Sequence, residues 1–258
     1  ASFKLDMDGG ELSLVDPGGT TLDQLALGKQ TPDVSIGRSP DGGNWAFFDR
    51  PTPGTANTTP AFAAQDVAAQ PQFSVAGGLH AGPLSVELSS PDVGAVIRYT
   101  TDGSRPTAAS AVYSDPIAAG GITVLRARAW VAGKMVSPTA TQTYLIDIPA
   151  NLPIISLVTD PANLWDTQYG IYTKGNNGIA NCGITANWHQ SWERPASIEF
   201  YETDGMPRLN QEVGLEIFGN CTRNYARKSL EVKARKLYGD NDMDYAFFAG
   251  DKPMTSYK

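Results

Sequence analysis

From Arg223 to Lys236 the chain reads Arg-Asn-Tyr-Ala-Arg-Lys-Ser-Leu-Glu-Val-Lys-Ala-Arg-Lys: six basic side chains and one acid, Glu231, inside a protein of net charge −7. No Gly or Pro interrupts residues 220 to 238, so length alone would permit a helix. The pattern predicts a strand instead, because Leu230, Val232 and Ala234 alternate with Glu231, Lys233 and Arg235. Lys228 shares the parity of Leu230 and therefore points inward or into a cleft. An ammonium in that direction needs a partner, since burying it unpaired is costly. A phosphate would serve, as would Glu199, Glu216 or the aspartates, and a carboxylate within hydrogen-bond reach is expected when no nucleotide is bound. Lys233 and Arg235 read as a solvated strand face.

Other chemistry-bearing types are sparse. Cys182 and Cys221 lie far apart, and His80 and His189 share no ligand spacing with them, which argues against zinc. The even cysteine count is compatible with a Cys182–Cys221 disulfide where the compartment is oxidising. Such a bond would close a loop of roughly 40 residues and contribute ~3–4 kcal/mol on the loop-entropy model. Asp240-Asn-Asp-Met-Asp244 has D-x-D-x-D spacing, but Tyr245 stands where a calcium loop wants Gly. It reads as a solvated turn, as do Asp6, Asp8 and Glu11. No metal ligand set and no catalytic residue is assigned.

The elements that must position these groups are strands. With 26 Gly and 18 Pro, the chain has few uninterrupted runs for helices, and the expected class is mainly β. Net negative charge argues against nonspecific nucleic-acid binding, and no stretch approaches the ~20 apolar residues of a membrane span. Ala1-Ser-Phe-Lys-Leu5 has neither the basic start nor the apolar core of a signal peptide, so mature processing or truncation is expected. Four segments follow from composition: an acidic, Gly-rich stretch over 1–57, a Pro-bounded linker over 58–71, a strand-rich module over 72–148, and a last segment over 149–258. In the first, apolar runs flank Gly9-Gly10, a hairpin signal. In the module, Ser85–Ser89, Ala95–Tyr99 and Leu125–Val131 alternate as half-buried strands, with Thr101-Asp-Gly-Ser104 as a turn. In the last segment, Ile154–Val158 reads as a strand buried on both faces, and Asp160-Pro161 as a helix start. Ala196–Glu202 and Val213–Phe218 read as strands joined through Thr203-Asp-Gly205.

Three resemblances overlay this frame. Tyr99-Thr-Thr-Asp-Gly-Ser-Arg-Pro-Thr107, with Tyr113, Pro116-Ile117 and Val124-Leu-Arg-Ala-Arg-Ala129, resembles the immunoglobulin-like C-terminal module of chitobiases and β-hexosaminidases. That module is an accessory to catalysis, so the resemblance implies no catalytic residue. Sugar binding through Trp130 or Tyr99 is the functional alternative to plain packing. Phe3–Gly19, Val34–Phe48 and Pro51–Asn57 together resemble the second half of a bacterial lamin tail domain, another immunoglobulin-like sandwich. This implies that strands are supplied by an upstream polypeptide or a neighbouring chain. Without them Phe3, Leu12, Leu14, Trp45 and Phe47 would meet water.

Leu152–Asp166, Gly170-Ile-Tyr172, Trp192–Ala196, Gly214–Arg223 and Arg227-Lys-Ser-Leu-Glu-Val232 are similar in order to the N-terminal part of CotH spore-coat kinases. That family implies an α+β kinase-like fold using ATP and Mg or Mn, with Lys228 contacting phosphate and Arg223 helping. The family's metal-holding carboxylates would lie beyond Lys258. The expectation is thus a bacterial secreted or cell-surface fragment, with immunoglobulin-like sandwiches leading into a kinase-like half-domain. Such a fragment is a structural and binding unit for a surface glycan or protein; the parent as an active protein serine kinase is the alternative.

Overall fold

The computed structural model describes residues 5–32, 34–248 and 254–258. The chain divides into two compact units, Ala1–Asp66 and Val67–Lys258. Both are built from strands, as expected of a mainly β chain: the described helices are one short α-helix and two 3-10 turns.

The first unit is a pair of hairpins. β1 (Gly10–Val15) pairs antiparallel with β2 (Thr21–Leu27), and β3 (Ser35–Ser39) with β4 (Asn44–Phe48). The first hairpin turns at Gly18-Gly19 rather than at Gly9-Gly10. Asp16 is the reason: its carbonyl accepts from Gly19 N at 3.0 Å and its carboxylate from Thr20 N at 2.8 Å. Gly19 supplies the positive φ of +88° that this turn requires. Phe3, expected among the exposed apolar side chains, lies outside the described residues. Every residue of β1 is exposed, and among the described residues of this unit the buried hydrophobic side chains are Ala46 and Phe48. Arg38 joins the hairpins, bidentate on Asp23 and stacked 4.4 Å over Trp45. Phe62 pairs by its backbone with Phe47, so the early part of the 58–71 stretch belongs here.

The second unit opens at Val67, and the next residue, Ala68, is buried with its N–H on Met135 O. Nine strands follow: β5 (Gln72–Phe73), β6 (Gly78–His80), β7 (Leu84–Val86), β8 (Leu88–Ser89), β9 (Val96–Thr100), β10 (Ala111–Val112), β11 (Ile117–Ala119), β12 (Ile122–Trp130) and β13 (Ala140–Ile146). The main sheet runs β10-β9-β12-β13-β6, and the pairs β11-β7 and β5-β8 cover its inner face. The run Ser85–Ser89 is not one strand. It breaks at Glu87, whose N–H goes to Ser74 Oγ, and its halves pair with different partners. Alternation along β12 sets the layers: Leu125, Ala127 and Ala129 are fully buried inside, and Arg126 and Arg128 point to the outer face.

Past residue 148 come β14 (Ile154–Val158), α1 (Pro161–Trp165), a small hairpin of β15 (Ile179–Asn181) and β16 (Ile184–Ala186), then β17 (Arg194–Tyr201), β18 (Pro207–Phe218) and β19 (Ser229–Lys233). Asp160 caps α1, its carboxylate accepting from Ala162 N at 3.0 Å. The antiparallel sheet has the order β14-β17-β18-β19. β14 is not buried on both faces: Ile155 is 60% exposed, so the face it shares with Leu157 is left partly open. One face of this sheet carries the core of Ile198, Val213, Leu215 and Ile217.

The other face meets β13 through Glu199, 1% exposed. Glu199 accepts from Thr143 N at 3.1 Å, Thr143 Oγ1 at 2.5 Å and Tyr201 OH at 2.6 Å. Because the Thr143 hydroxyl gives its proton to Glu199, Ser156 Oγ, 2.7 Å away, donates to Thr143. Burial pushes the Glu199 carboxyl above the usual range, and the donors pull it partly back. Two further contacts tie the same parts together: Arg105 N on Asp160 Oδ2, and Leu79 N on Gly205 O, each at 3.2 Å.

Candidate functional site

Lys228 does not sit on a strand. Residues 221–224 form a 3-10 turn, bends follow, and β19 begins only at Ser229, so strand parity does not govern the lysine. Its ammonium donates to Arg223 O at 2.8 Å and Tyr225 O at 2.9 Å. Beneath it lie the Trp188 ring, 3.9 Å from Nζ to centroid, and the Tyr172 ring at 5.4 Å. Among the described residues the expected carboxylate partner is absent; backbone carbonyls and aromatic faces take its place. A carbonyl dipole and a ring quadrupole hold a cation without cancelling its formal charge. Burial lowers the lysine's pKa from its ordinary value.

The carboxylates went to Lys233 instead. Its Nζ lies 2.6 Å from Glu216, 3.2 Å from Glu231 and 3.9 Å from Glu193. Arg235 Nε reaches Glu193 at 3.0 Å. These two side chains are therefore an ion-pair network and not a merely solvated face; hydrogen bonding to Glu216 raises the Lys233 pKa. Gly214 makes the network feasible, since a Cβ there would collide with the Glu193 side chain.

Arg223 positions the niche. Its guanidinium donates to Gly219 O at 2.6 Å and to Trp188 O and Gln190 O at 3.2 Å each, with Glu216 3.8 Å away. Asn224 does likewise from its side chain: Oδ1 accepts from Trp188 Nε1 at 3.0 Å and lies 2.9 Å from His189 Nε2. Cys182 and Cys221 are joined by a disulfide with Cα atoms 5.4 Å apart, which ties the β15–β16 hairpin to the 3-10 turn. Asn187, fully buried, fixes the loop before Trp188 by donating to Thr167 O and Gly170 O.

Trp188, Asn187 and Asn224 were not singled out from sequence. Their only signal is an aromatic and amides in Gly/Asn-rich loops, where most such residues are simply solvated. Tyr172 did appear, within Gly170-Ile-Tyr172. Trp130 and Tyr99, the sugar-stacking candidates, are half-buried; Trp130 lies under the Arg128 guanidinium and Tyr99 packs on the core.

Asp240, Asp242 and Asp244 border an open polar cleft with Arg208 and Asn210. Among the described residues, no group of three or more His, Cys, Asp or Glu is placed to hold a metal ion. Asp6 accepts from Asp8 N at 2.9 Å as an ordinary Asx turn. No described helix is long and apolar enough to cross a membrane.

No curated protein matches the chain. Residues 75–143 match the model of the chitobiase/beta-hexosaminidase C-terminal domain, and over that span, β6 to most of β13 and the turns between them, the chain carries a domain of this type.

Proposed function

We propose that the chain is a structural and binding unit of a secreted or cell-surface bacterial protein, and that its binding element is the Lys228 niche, which takes an anionic group. One observation carries this: an ammonium held by two carbonyls and two aromatic faces keeps its charge, in a protein whose net charge is −7. The chitobiase-type domain supports an accessory role, since domains of that type serve beside catalytic ones. The disulfide suits an oxidising compartment and so supports export. In this reading the modules are immunoglobulin-like sandwiches over 1–57 and 72–148, joined by 58–71, with a kinase-like half-domain over 149–258. Strands missing from the first come from upstream polypeptide or a neighbouring chain.

A second reading, that the parent is a CotH-like, ATP-dependent protein serine kinase, is favoured by the same lysine. Phosphoryl transfer needs a point cation on the phosphates, and Lys228 with Arg223 beside it is of the right type. ATP with Mg or Mn would be the cofactors, and metal-holding carboxylates would have to join the niche.

Labelled ATP separates the two. The 258-residue chain, given ATP with magnesium or manganese, should retain label in a Lys228-dependent manner and transfer none to protein serine. Transfer by this chain, abolished in Lys228→Met, would replace the structural reading with the kinase one.

A further inference from the structure

We infer that Arg126, Thr141 and Ser197 hold an internal water between the chitobiase-type domain and the last sheet, at a site separate from the Lys228 niche.

Three strands bring the groups together. Arg126 and Thr141 are directly opposed across β12 and β13, so their side chains stand side by side on the outer face of the main sheet. Thr143, two residues further along that face, is the residue whose N–H and hydroxyl bond Glu199. Ser197 precedes Glu199 by two positions on β17 and therefore shares its face, turned toward β13. Ser197 also opposes Val158 on β14. Gly103, whose carbonyl accepts from Arg126 Nη1 at 2.9 Å, lies so close that a Cβ on it would touch that valine. On β18, Asn210 Nδ2 reaches Thr141 O at 3.0 Å. The outer face of one sheet thus meets the other sheet around Arg126, Thr141 and Ser197.

These three residues are 5, 4 and 1% exposed. Yet Arg126 Nε, Thr141 Oγ1 and Ser197 Oγ have no hydrogen-bond partner among the described residues. One such atom left unpaired in an interior is costly, and three on facing strands call for a shared partner. A water satisfies all of them. It accepts from the guanidinium Nε–H and from one hydroxyl and donates to the other, which matches the ~3 bonds an internal water makes.

Charge selects water over an ion. Glu212 and Asp160 attract Arg126, and Arg105 repels it. An anion between the sheets would meet the two carboxylates, and a cation the two guanidiniums. A neutral molecule meets neither penalty. Arg126 and Thr141 lie within the residues that match the family model and Ser197 lies outside them, so the water joins that domain to the sheet beside it.

The test uses the full chain and three variants: Thr141→Val, which keeps the shape of the side chain, Ser197→Ala, and the two combined. Oxygen-17 magnetic relaxation dispersion counts waters that stay bound longer than the protein tumbles, and urea unfolding gives the equilibrium constant. The double variant should hold one long-lived water fewer than the wild type. Each single variant should raise the unfolding constant several-fold, because it strips a bonded hydroxyl. A buried hydroxyl with no partner would do the opposite, its removal making the protein more stable.

An unchanged dispersion in the folded double variant overturns the site. So does chloride-35 line broadening by the wild type that the double variant abolishes, since an anion would then hold the place. Should the double variant not fold, Thr141→Val decides alone: lower stability supports the water, and higher stability overturns it.

Discussion

Residues 5–66 and 67–258 use the same element, the antiparallel hairpin, and reach opposite outcomes. In the first, Leu12, Leu14 and Leu22 are 36, 60 and 63% exposed, and two hairpins share a core of little more than Ala46 and Phe48. In the second, sheets are covered: one by short strand pairs on its inner face, the other by its own apolar cluster and by β13. An isolated hairpin is marginal in water, and only burial against another layer changes that. The difference teaches where side chains are held firmly enough to do chemistry. Lys228 belongs to the covered unit, and the loops that hold it are pinned by buried Asn187, by Arg223 and by a disulfide.

The comparison breaks outright if the two units prove equally stable. Expressed alone, residues 1–66 should show no cooperative thermal transition, whereas 67–258 should keep the main transition of the whole chain. A sharper version is a matched pair of leucines. Leu215→Ala, at a site 1% exposed, should cost about 3 kcal/mol in denaturant unfolding, and Leu14→Ala under about 0.5 kcal/mol.

Glu199→Ala comes next, at about 2–3 kcal/mol, because it strands the Thr143 and Tyr201 donors at the junction. Its pH dependence has a definite sign. The folded carboxyl sits above its unfolded value, so the folded state holds the proton more tightly. Stability from this group is full below the ordinary Glu value of ~4.3 and falls as pH rises through the raised folded value. Glu199→Gln should flatten that slope in unfolding curves taken from pH 4 upward. The smallest effect is Asp160→Ala, about 1 kcal/mol from the lost helix cap.

Alternation made β12 and β18 legible, because each has a buried face and a consistent period; β17, buried on both faces, shows it in sequence only as polar residues that face another sheet. The N-cap at Asp160 was legible for a similar reason: capping is local chemistry, settled within two residues. What failed was long-range or irregular. Lys228 was placed by strand parity, but the 3-10 turn from Cys221 breaks the period before β19 begins, and its carboxylate partners went to Lys233. Glu199 read as a candidate partner for that lysine; its real partner, Thr143, lies 56 residues away on another sheet. Trp188 carried no periodic signal at all. The β14 edge was misjudged because a short apolar run looks alike whether one face or two are covered.

The central claim is that Lys228 keeps an open charge and Lys233 does not, although both are lysines within a few residues of one another. Calorimetric titration of inorganic pyrophosphate into the oxidised wild type, Lys228→Met and Lys233→Met tests it directly. The niche predicts at least a tenfold loss of affinity in Lys228→Met and less than a twofold change in Lys233→Met. Equal losses in both variants, or pyrophosphate binding untouched by Lys228→Met, would contradict it.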